Sequence, residues 1–223
     1  MRLRNITKAP EKLAEFPEIV IQNPKDFIGI WKDRIFGNKN PIHIEIGIGR
    51  GNFITKIAKQ NPNINYIGIE KFDSVVLRAL EKNIENPPKN LKLLRFDATD
   101  ILEIFANGEI DKIYLNFSDP WDKNAYKVRR LTHTRFLEKY KKILIDNGIL
   151  QFKTDNRELF EFSVCEINNF GLRICEINLD LHENEPNWNI RTEYEEKFAK
   201  LGKKIYFIVA NFEEKENNYE KND

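Results

Sequence analysis

Residues 116–130 read Asn-Phe-Ser-Asp-Pro-Trp-Asp-Lys-Asn-Ala-Tyr-Lys-Val-Arg-Arg, so a carboxylate (Asp119), an indole (Trp121) and a run of cations follow directly on an apolar stretch. That stretch, Ile113-Tyr114-Leu115, is short and β-prone and predicts a buried strand. A strand closing on Asp-Pro sets its carboxylate at the carboxyl edge of a sheet, where open α/β folds keep their ligands. The cations behind it, Lys123, Lys127, Arg129, Arg130 and Arg135 with His133, meet only Asp122 on the acidic side. Each cation set against a phosphate releases counterions, so the patch suits a polynucleotide. Cations are disfavoured at the positive end of a helix dipole, which argues against a mere solvated helix start. Trp121 or Tyr126 could stack on a base, and Trp121 could equally wedge into the core beneath the loop.

A second constellation lies at Ile42-His43-Ile44-Glu45-Ile46-Gly47-Ile48-Gly49-Arg50-Gly51-Asn52-Phe53, a strand, a glycine turn and a helix start. Such a turn lets backbone approach a nucleotide closely. The spacing is G-x-G-x-G, and Asn52 stands where the dinucleotide fingerprint needs its third Gly or Ala, so pyrophosphate binding is disfavoured. Glu45 would repel phosphate but could pair with the ammonium of an amino-acid ligand, which favours S-adenosylmethionine. Glu70 ends the next strand ~20 residues past the last glycine, where an acid accepts ribose hydroxyls in these folds. Asp97 ends the third strand. Four carboxylates at successive strand ends, Glu45, Glu70, Asp97 and Asp119, would line one crevice with acceptors.

The elements that must position these groups alternate from residue 41 onward. Strand-like runs fall at 42–46, 66–69, 91–96, 113–117 and 149–152, with helical stretches between. Val76, Leu77, Leu80 and Ile84 form a helical stripe over 73–86, with Asp73 or Ser74 as its cap and Pro87-Pro88 as its stop. A second helix covers 134–145 and ends at Asn147-Gly148. A third covers 159–167. Alternation of this kind predicts an α/β fold, a doubly wound, mostly parallel Rossmann-like sheet. Strands at 172–179 and 204–212, separated by irregular sequence and a short helix at 193–201, suit an antiparallel C-terminal edge. Residues 1–40, with a helix at 26–36, are expected to pack on the core as an extension. Residues 41–212 then form the main domain, and the polar tail 213–223 should fray.

Whole-chain properties narrow little else. A chain of 223 residues allows one well-buried core. Net charge is +1, from 36 basic and 35 acidic side chains, so nucleic-acid binding must come from a local patch. Cys165 and Cys175 lack metal-ligand spacing and sit among apolar neighbours, so they read as buried hydrophobes, with no metal and no disulfide framework. The sequence has neither a secretory leader nor a run of the ~18 apolar residues that a membrane span needs, and a cytoplasmic location is expected.

With these residues in place, the chain resembles the bacterial tRNA (guanine-N7)-methyltransferases, of the class I S-adenosylmethionine-dependent type. The likeness rests on Glu45-Ile-Gly47-Ile-Gly49-Arg-Gly51, Gly68-Ile-Glu70, Asp97-Ala98, Ser118-Asp119-Pro120-Trp121, Lys123, Arg129-Arg130-Leu131, Lys153-Thr154-Asp155 and Thr192-Glu193-Tyr194-Glu195. Two positions depart from the family: Asp122 replaces a proline and Tyr126 a histidine. The resemblance implies cofactor contacts at Glu45, Gly47, Gly49, Gly51, Glu70, Asp97, Ala98 and Asp119, with Asp119 also catalytic. It implies tRNA or guanine contacts at Lys123, Asp155 and Thr192, Glu193, Tyr194 and Glu195. The RNA-interaction loop would run from Asn124 through Lys127 to Arg129, with Arg130 beyond it as a further RNA contact. The target implied is guanine 46 of the tRNA variable loop, and the protein would act as a monomer or homodimer.

Guanine N7 carries an in-plane lone pair and no proton, so its attack on a sulfonium methyl needs no general base. Three rival readings remain. An amino-group (adenine N6) methyltransferase would want two prolines after its acidic or amide residue, where this chain has one before Trp121. A non-catalytic RNA-binding module would have no use for Glu45, Glu70 and Asp119 together. A nicotinamide reductase is weakened by Asn52 and Glu45. Arg2, Arg4, Lys8 and Lys12 could also order on RNA.

Overall fold

The computed structural model describes residues 6–212. Seven strands form one sheet in the order β3-β2-β1-β4-β5-β7-β6. They are β1 (Ile42–Ile46), β2 (Asn65–Glu70), β3 (Leu91–Arg95), β4 (Ile110–Asn116), β5 (Leu144–Thr154), β6 (Arg173–Asn178) and β7 (Tyr206–Asn211). The first five run parallel, and β7 lies antiparallel between β5 and β6. The chain order turns back beside β1, between β1 and β4, which opens a crevice at the carboxyl ends of the strands.

Helices cover both faces. α1 (Ala9–Ala14), α2 (Asn52–Gln60) and α3 (Asp73–Glu81) pack on one, while α4 (Thr134–Ile143) and α5 (Arg157–Asn169) pack on the other. Phe53, Ile54, Ile57 and Ala58 of α2 are buried at helical spacing against that first face. Residues ahead of β1 belong to both layers. Leu13 and Val20 enter the α2–α3 core, and Trp31, fully buried, donates its indole N–H to the Ile104 carbonyl at 2.8 Å on the opposite face. A short helix, α6 (Glu193–Ala199), lies in the connection between β6 and β7.

Several local expectations change. Residues 26–36 do not form one helix: a 3-10 turn at Pro24–Phe27 and a wide π-type turn at Trp31–Phe36 are separated by Gly29 at φ 75°. Glu109 accepts the amides of Gly29 (3.0 Å) and Trp31 (3.3 Å), replacing the carbonyl partners a continuous helix would supply. α3 stops at Glu81, well before the two prolines, because buried Asn83 turns its amide back to the Ala79 carbonyl at 2.8 Å and to Thr55 Oγ1 at 3.0 Å. Its N-cap is Phe72; Asp73 lies inside the first turn and pairs with Arg95 at 3.3 Å. Asn147-Gly148 does not end α4 but forms an irregularity within β5. There Asn147 takes φ 63°, and a Cβ on Gly148 would lie 2.7 Å from that of Leu144. Both cysteines are exposed, Cys165 on the outer face of α5 and Cys175 on the edge strand β6, so the expectation of buried hydrophobes is corrected. Arg2, Arg4 and the tail 213–223 lie outside the described residues.

Candidate active site

The crevice is floored by the glycine turn between β1 and α2. Gly51, at φ 74°, is the N-cap of α2 and presses on α3: an added Cβ would sit 2.7 Å from that of Ala79. Gly47 and Gly49 also take positive φ, but the space beside their α-carbons is open, forming a cradle for a ligand. Glu45, 2% exposed, accepts from the Asn116 side-chain amide through Oε1 at 2.9 Å, while its buried Oε2 has no hydrogen-bond partner among the described residues. Burial pushes its carboxyl up to about 8. The Asn116 bond and the Lys153 charge pull it back only in part, and Glu70 adds to the rise.

Glu70 is held in place by the turns around it. Its oxygens accept from the amides of Lys71 (2.8 Å), Phe72 (3.3 Å) and Gly49 (3.3 Å). Burial raises its carboxyl, those three amides oppose the rise, and the charge of Asp119 across the crevice reinforces it. Asp97 caps the turn at Ala98–Glu103 through the Thr99 amide (2.9 Å) and pairs with Lys71 at 2.6 Å. Burial would raise Asp97, but the Lys71 ammonium and Thr99 outweigh it and hold the carboxyl at about 2. Ala98 is buried behind it.

The 117–130 loop leaves β4 through Phe117, whose φ of 53° turns the chain sharply and whose amide donates to the Lys153 carbonyl at 2.8 Å. Asp119 is exposed on this loop, and half-buried Trp121 takes φ 46° just beyond it. The Arg129 guanidinium lies 5.0 Å from the Trp121 ring and 4.7 Å from that of Tyr126, so the two aromatic rings share one cation. Lys123 and Asn124 are exposed beside them, and Lys127 is half-buried near Glu158 at 3.5 Å.

Arg130 points inward, away from the position expected of a phosphate contact. Its side chain is fully buried, with Nε donating to the Pro120 carbonyl at 2.6 Å, Nη2 to Glu158 at 2.9 Å, and the guanidinium lying over Phe162. It therefore clamps the Asp119-Pro120-Trp121 turn to α5.

The 192–195 segment is equally divided. Thr192 and Glu195 form a reciprocal capping box at the start of α6. Glu195 is buried, paired with Lys153 Nζ at 2.7 Å, and also bonded to the side chains of His182 and Asn189 at 3.0 and 2.7 Å, so it is not presented to a ligand from solution. Glu193 reaches back to Lys82 at 2.6 Å and to Arg50 of the glycine turn at 3.9 Å. Tyr194 is exposed and stacks on Phe117, ring centroids 6.4 Å apart. Asp155, at the end of β5, pairs with Lys203 at 2.9 Å.

Sequence reasoning passed over Asn116 and assigned Lys153 no role beyond its place in a motif. The signal for Asn116 was the period of two along β4. It shares a face with Tyr114, whose backbone partner on β1 is Glu45.

An open glycine cradle, an orphaned carboxylate oxygen beneath it and two further carboxylates, Glu70 and Asp119, converge on one crevice. That acidic lining suits a ligand with two positive centres, an ammonium and a sulfonium, and disfavours a pyrophosphate. Sheet order and site together define a class I S-adenosylmethionine-dependent methyltransferase. The chain belongs to the tRNA (guanine-N7)-methyltransferase family. A family model described as "Putative methyltransferase" matches residues 39–208. The tRNA (guanine-N(7)-)-methyltransferase of Geobacillus sp. (strain WCH70) is 53% identical over 206 residues, covering 92% of this chain and 93% of that protein. The enzyme of the same name from Lysinibacillus sphaericus (strain C3-41) is 50% identical over 213 residues, covering 95% and 98%. Among solved structures, a SAM-dependent methyltransferase from Aquifex aeolicus superposes with a TM-score of 0.56 at 15% identity, over 91% of this chain and 98% of that one, a likeness of fold alone.

Proposed function

We propose that the protein methylates N7 of guanine 46 in the variable loop of tRNA, drawing the methyl group from S-adenosylmethionine. The observation that carries this reading is the proximity of Glu45, Glu70 and Asp119 at the strand ends, beside a loop on which half-buried Trp121 and exposed Tyr126 share the exposed Arg129 cation. Glu45, the 47–51 turn, Glu70 and Asp97-Ala98 would hold the cofactor, which supplies an electrophilic methyl group on a sulfonium sulfur.

Because N7 has no proton to lose, the chain needs a positioning device more than a base. Asp119 serves as that device and as an electrostatic stabiliser. The purine gains positive charge as N7 is alkylated, so a carboxylate beside it strengthens in the transition state. Asp155 would exchange its bond to Lys203 for the Watson–Crick edge of guanine. Lys123, Lys127 and Arg129 track the RNA backbone, with Trp121 or Tyr126 stacking on a base. Thr192, Glu193 and Tyr194 form the facing wall. Arg130 and Glu195 act from behind, fixing the loop and the start of α6. The same reading makes the enzyme cytoplasmic, metal-independent and active as a monomer or homodimer.

The test is incubation with unmodified tRNA and S-adenosylmethionine, nuclease digestion and mass spectrometry of the nucleosides. 7-Methylguanosine at position 46 is the expected product. A methyladenosine in its place would transfer the 119–121 motif to amine chemistry.

A further inference from the structure

On the sheet face that carries Glu45, but toward the opposite ends of the strands, lies a cavity of about 380 Å³. Its walls are rings: Phe53 and Tyr114 with centroids 5.2 Å apart, Trp188 and Phe207 at 5.3 Å, and Tyr66 beyond them. Trp188 is 51% exposed, so the cavity opens to solvent at that ring. Two polar groups face this aromatic lining with nothing to satisfy them fully. Gln151 is 6% exposed as a whole, and its side-chain amide, which no side chain or carbonyl among the described residues engages, is open to the cavity rather than sealed in the core. The Lys112 ammonium sits 4.7 Å from the Tyr114 ring centroid, and no carboxylate among the described residues pairs with it. Burial holds that ammonium down at about 8, with Glu176 near enough to oppose the shift.

We propose that this cavity is a second binding site, separate from the cofactor crevice, for a planar heteroaromatic molecule of nucleobase size, a purine nucleoside or an unstacked purine of an RNA. An edge-to-face pair, Phe53 and Tyr114 at 62°, and a tilted pair, Trp188 and Phe207 at 40°, offer ring faces and edges on which a flat π-system packs. The NH2 and C=O of the Gln151 carboxamide, presented side by side, match the adjacent donor and acceptor edge of a purine. Lys112 supplies a further donor to a ring nitrogen or carbonyl. The volume lies at the lower end of the ~300 to 1,000 Å³ of small-molecule sites, enough for a base with its ribose. The roof of the cavity, residues 188–190, is also the strap that holds Lys153: Nζ donates to Asn189 Oδ1 at 3.0 Å and to the Ile190 carbonyl at 3.1 Å.

The experiment titrates the full chain, saturated with S-adenosylhomocysteine, with adenosine and separately with benzoate, reading tryptophan fluorescence and saturation-transfer NMR. Adenosine is expected to bind saturably, with its quench lost in Trp188→Phe. Gln151→Leu should weaken it about tenfold, the loss of roughly one hydrogen-bonded pair. Displacement of adenosine by unmodified tRNA identifies the natural occupant as an RNA base, and no displacement identifies a free nucleoside; both support the site. Absence of saturable adenosine binding overturns it, as does binding unchanged in both Gln151→Leu and Trp188→Ala, or benzoate binding without adenosine binding. The variants place the ligand independently of whether the cofactor crevice is filled.

Discussion

Lys153 and Glu195, 42 residues apart in the chain, form an ion pair at 2.7 Å in which neither side chain has any solvent exposure. The pair joins the end of β5 to the first turn of α6, the two elements that carry Asp155 and Thr192. Burial lowers the Lys153 ammonium from its usual range despite Glu195; burial also raises Glu195, but the Lys153 charge and the hydrogen bonds from Asn189, Lys153 and His182 together outweigh it and hold that carboxyl low. Replacing one partner strands the other charge. Glu195→Gln or Lys153→Met should each lower stability by about 3–5 kcal/mol, and the double replacement by less than the sum. Urea denaturation of the three variants checks this.

Glu45 sets a pH dependence on cofactor binding. Its carboxyl titrates near 8 without a bound cation, so below that pH the ammonium of the cofactor must displace a proton. Affinity should rise as pH increases toward 8 and level off above it, by up to tenfold per pH unit. Calorimetry in buffers of differing ionisation enthalpy should detect up to one released proton at pH 7, absent in Glu45→Gln. The same raised carboxyl makes the cofactor-free protein lose stability as pH climbs from 4.5 to 8, because only the unfolded chain gives up the proton freely in that window.

Asp119 is exposed on its loop, and its side chain accepts no hydrogen bond among the described residues. Asp119→Asn should therefore leave the melting temperature nearly unchanged while weakening cofactor binding modestly and lowering kcat about 10²–10³-fold, as for removal of one preorganised electrostatic group. Single-turnover methylation of tRNA would measure it, and unaltered turnover in Asp119→Ala would remove the residue from the mechanism.

The adjacent arginines should behave differently. Arg129→Ala removes a cation from an exposed aromatic cluster, so it should weaken tRNA binding and reduce the salt slope by about one while the protein stays equally stable. Arg130→Ala removes the bond to the Pro120 carbonyl and the contact over Phe162, so it should cost about 1.5–3 kcal/mol of stability and raise KM with a fall in kcat. Filter binding across a salt series, with thermal melts of both variants, separates the two roles.

By itself the sequence determined what depends on local pattern: the strand–helix alternation, the strand ends that carry Glu45, Glu70, Asp97 and Asp119, and the glycine turn, because periodicity and φ > 0 are properties of neighbouring residues. It could also place the aromatic and basic groups on one loop. Tertiary structure decided which of those groups face the crevice. Arg129 and Arg130 are indistinguishable as letters, and only the Pro120 carbonyl, Glu158 and Phe162, brought in from elsewhere, turn one inward. Burial of Lys153 against Glu195, the Glu109 carboxylate that breaks residues 26–36 and the Asn83 side chain that ends α3 early are likewise long-range pairings. A side chain's partner across the sheet is fixed by register and packing of segments distant in sequence, and no window of neighbours contains it.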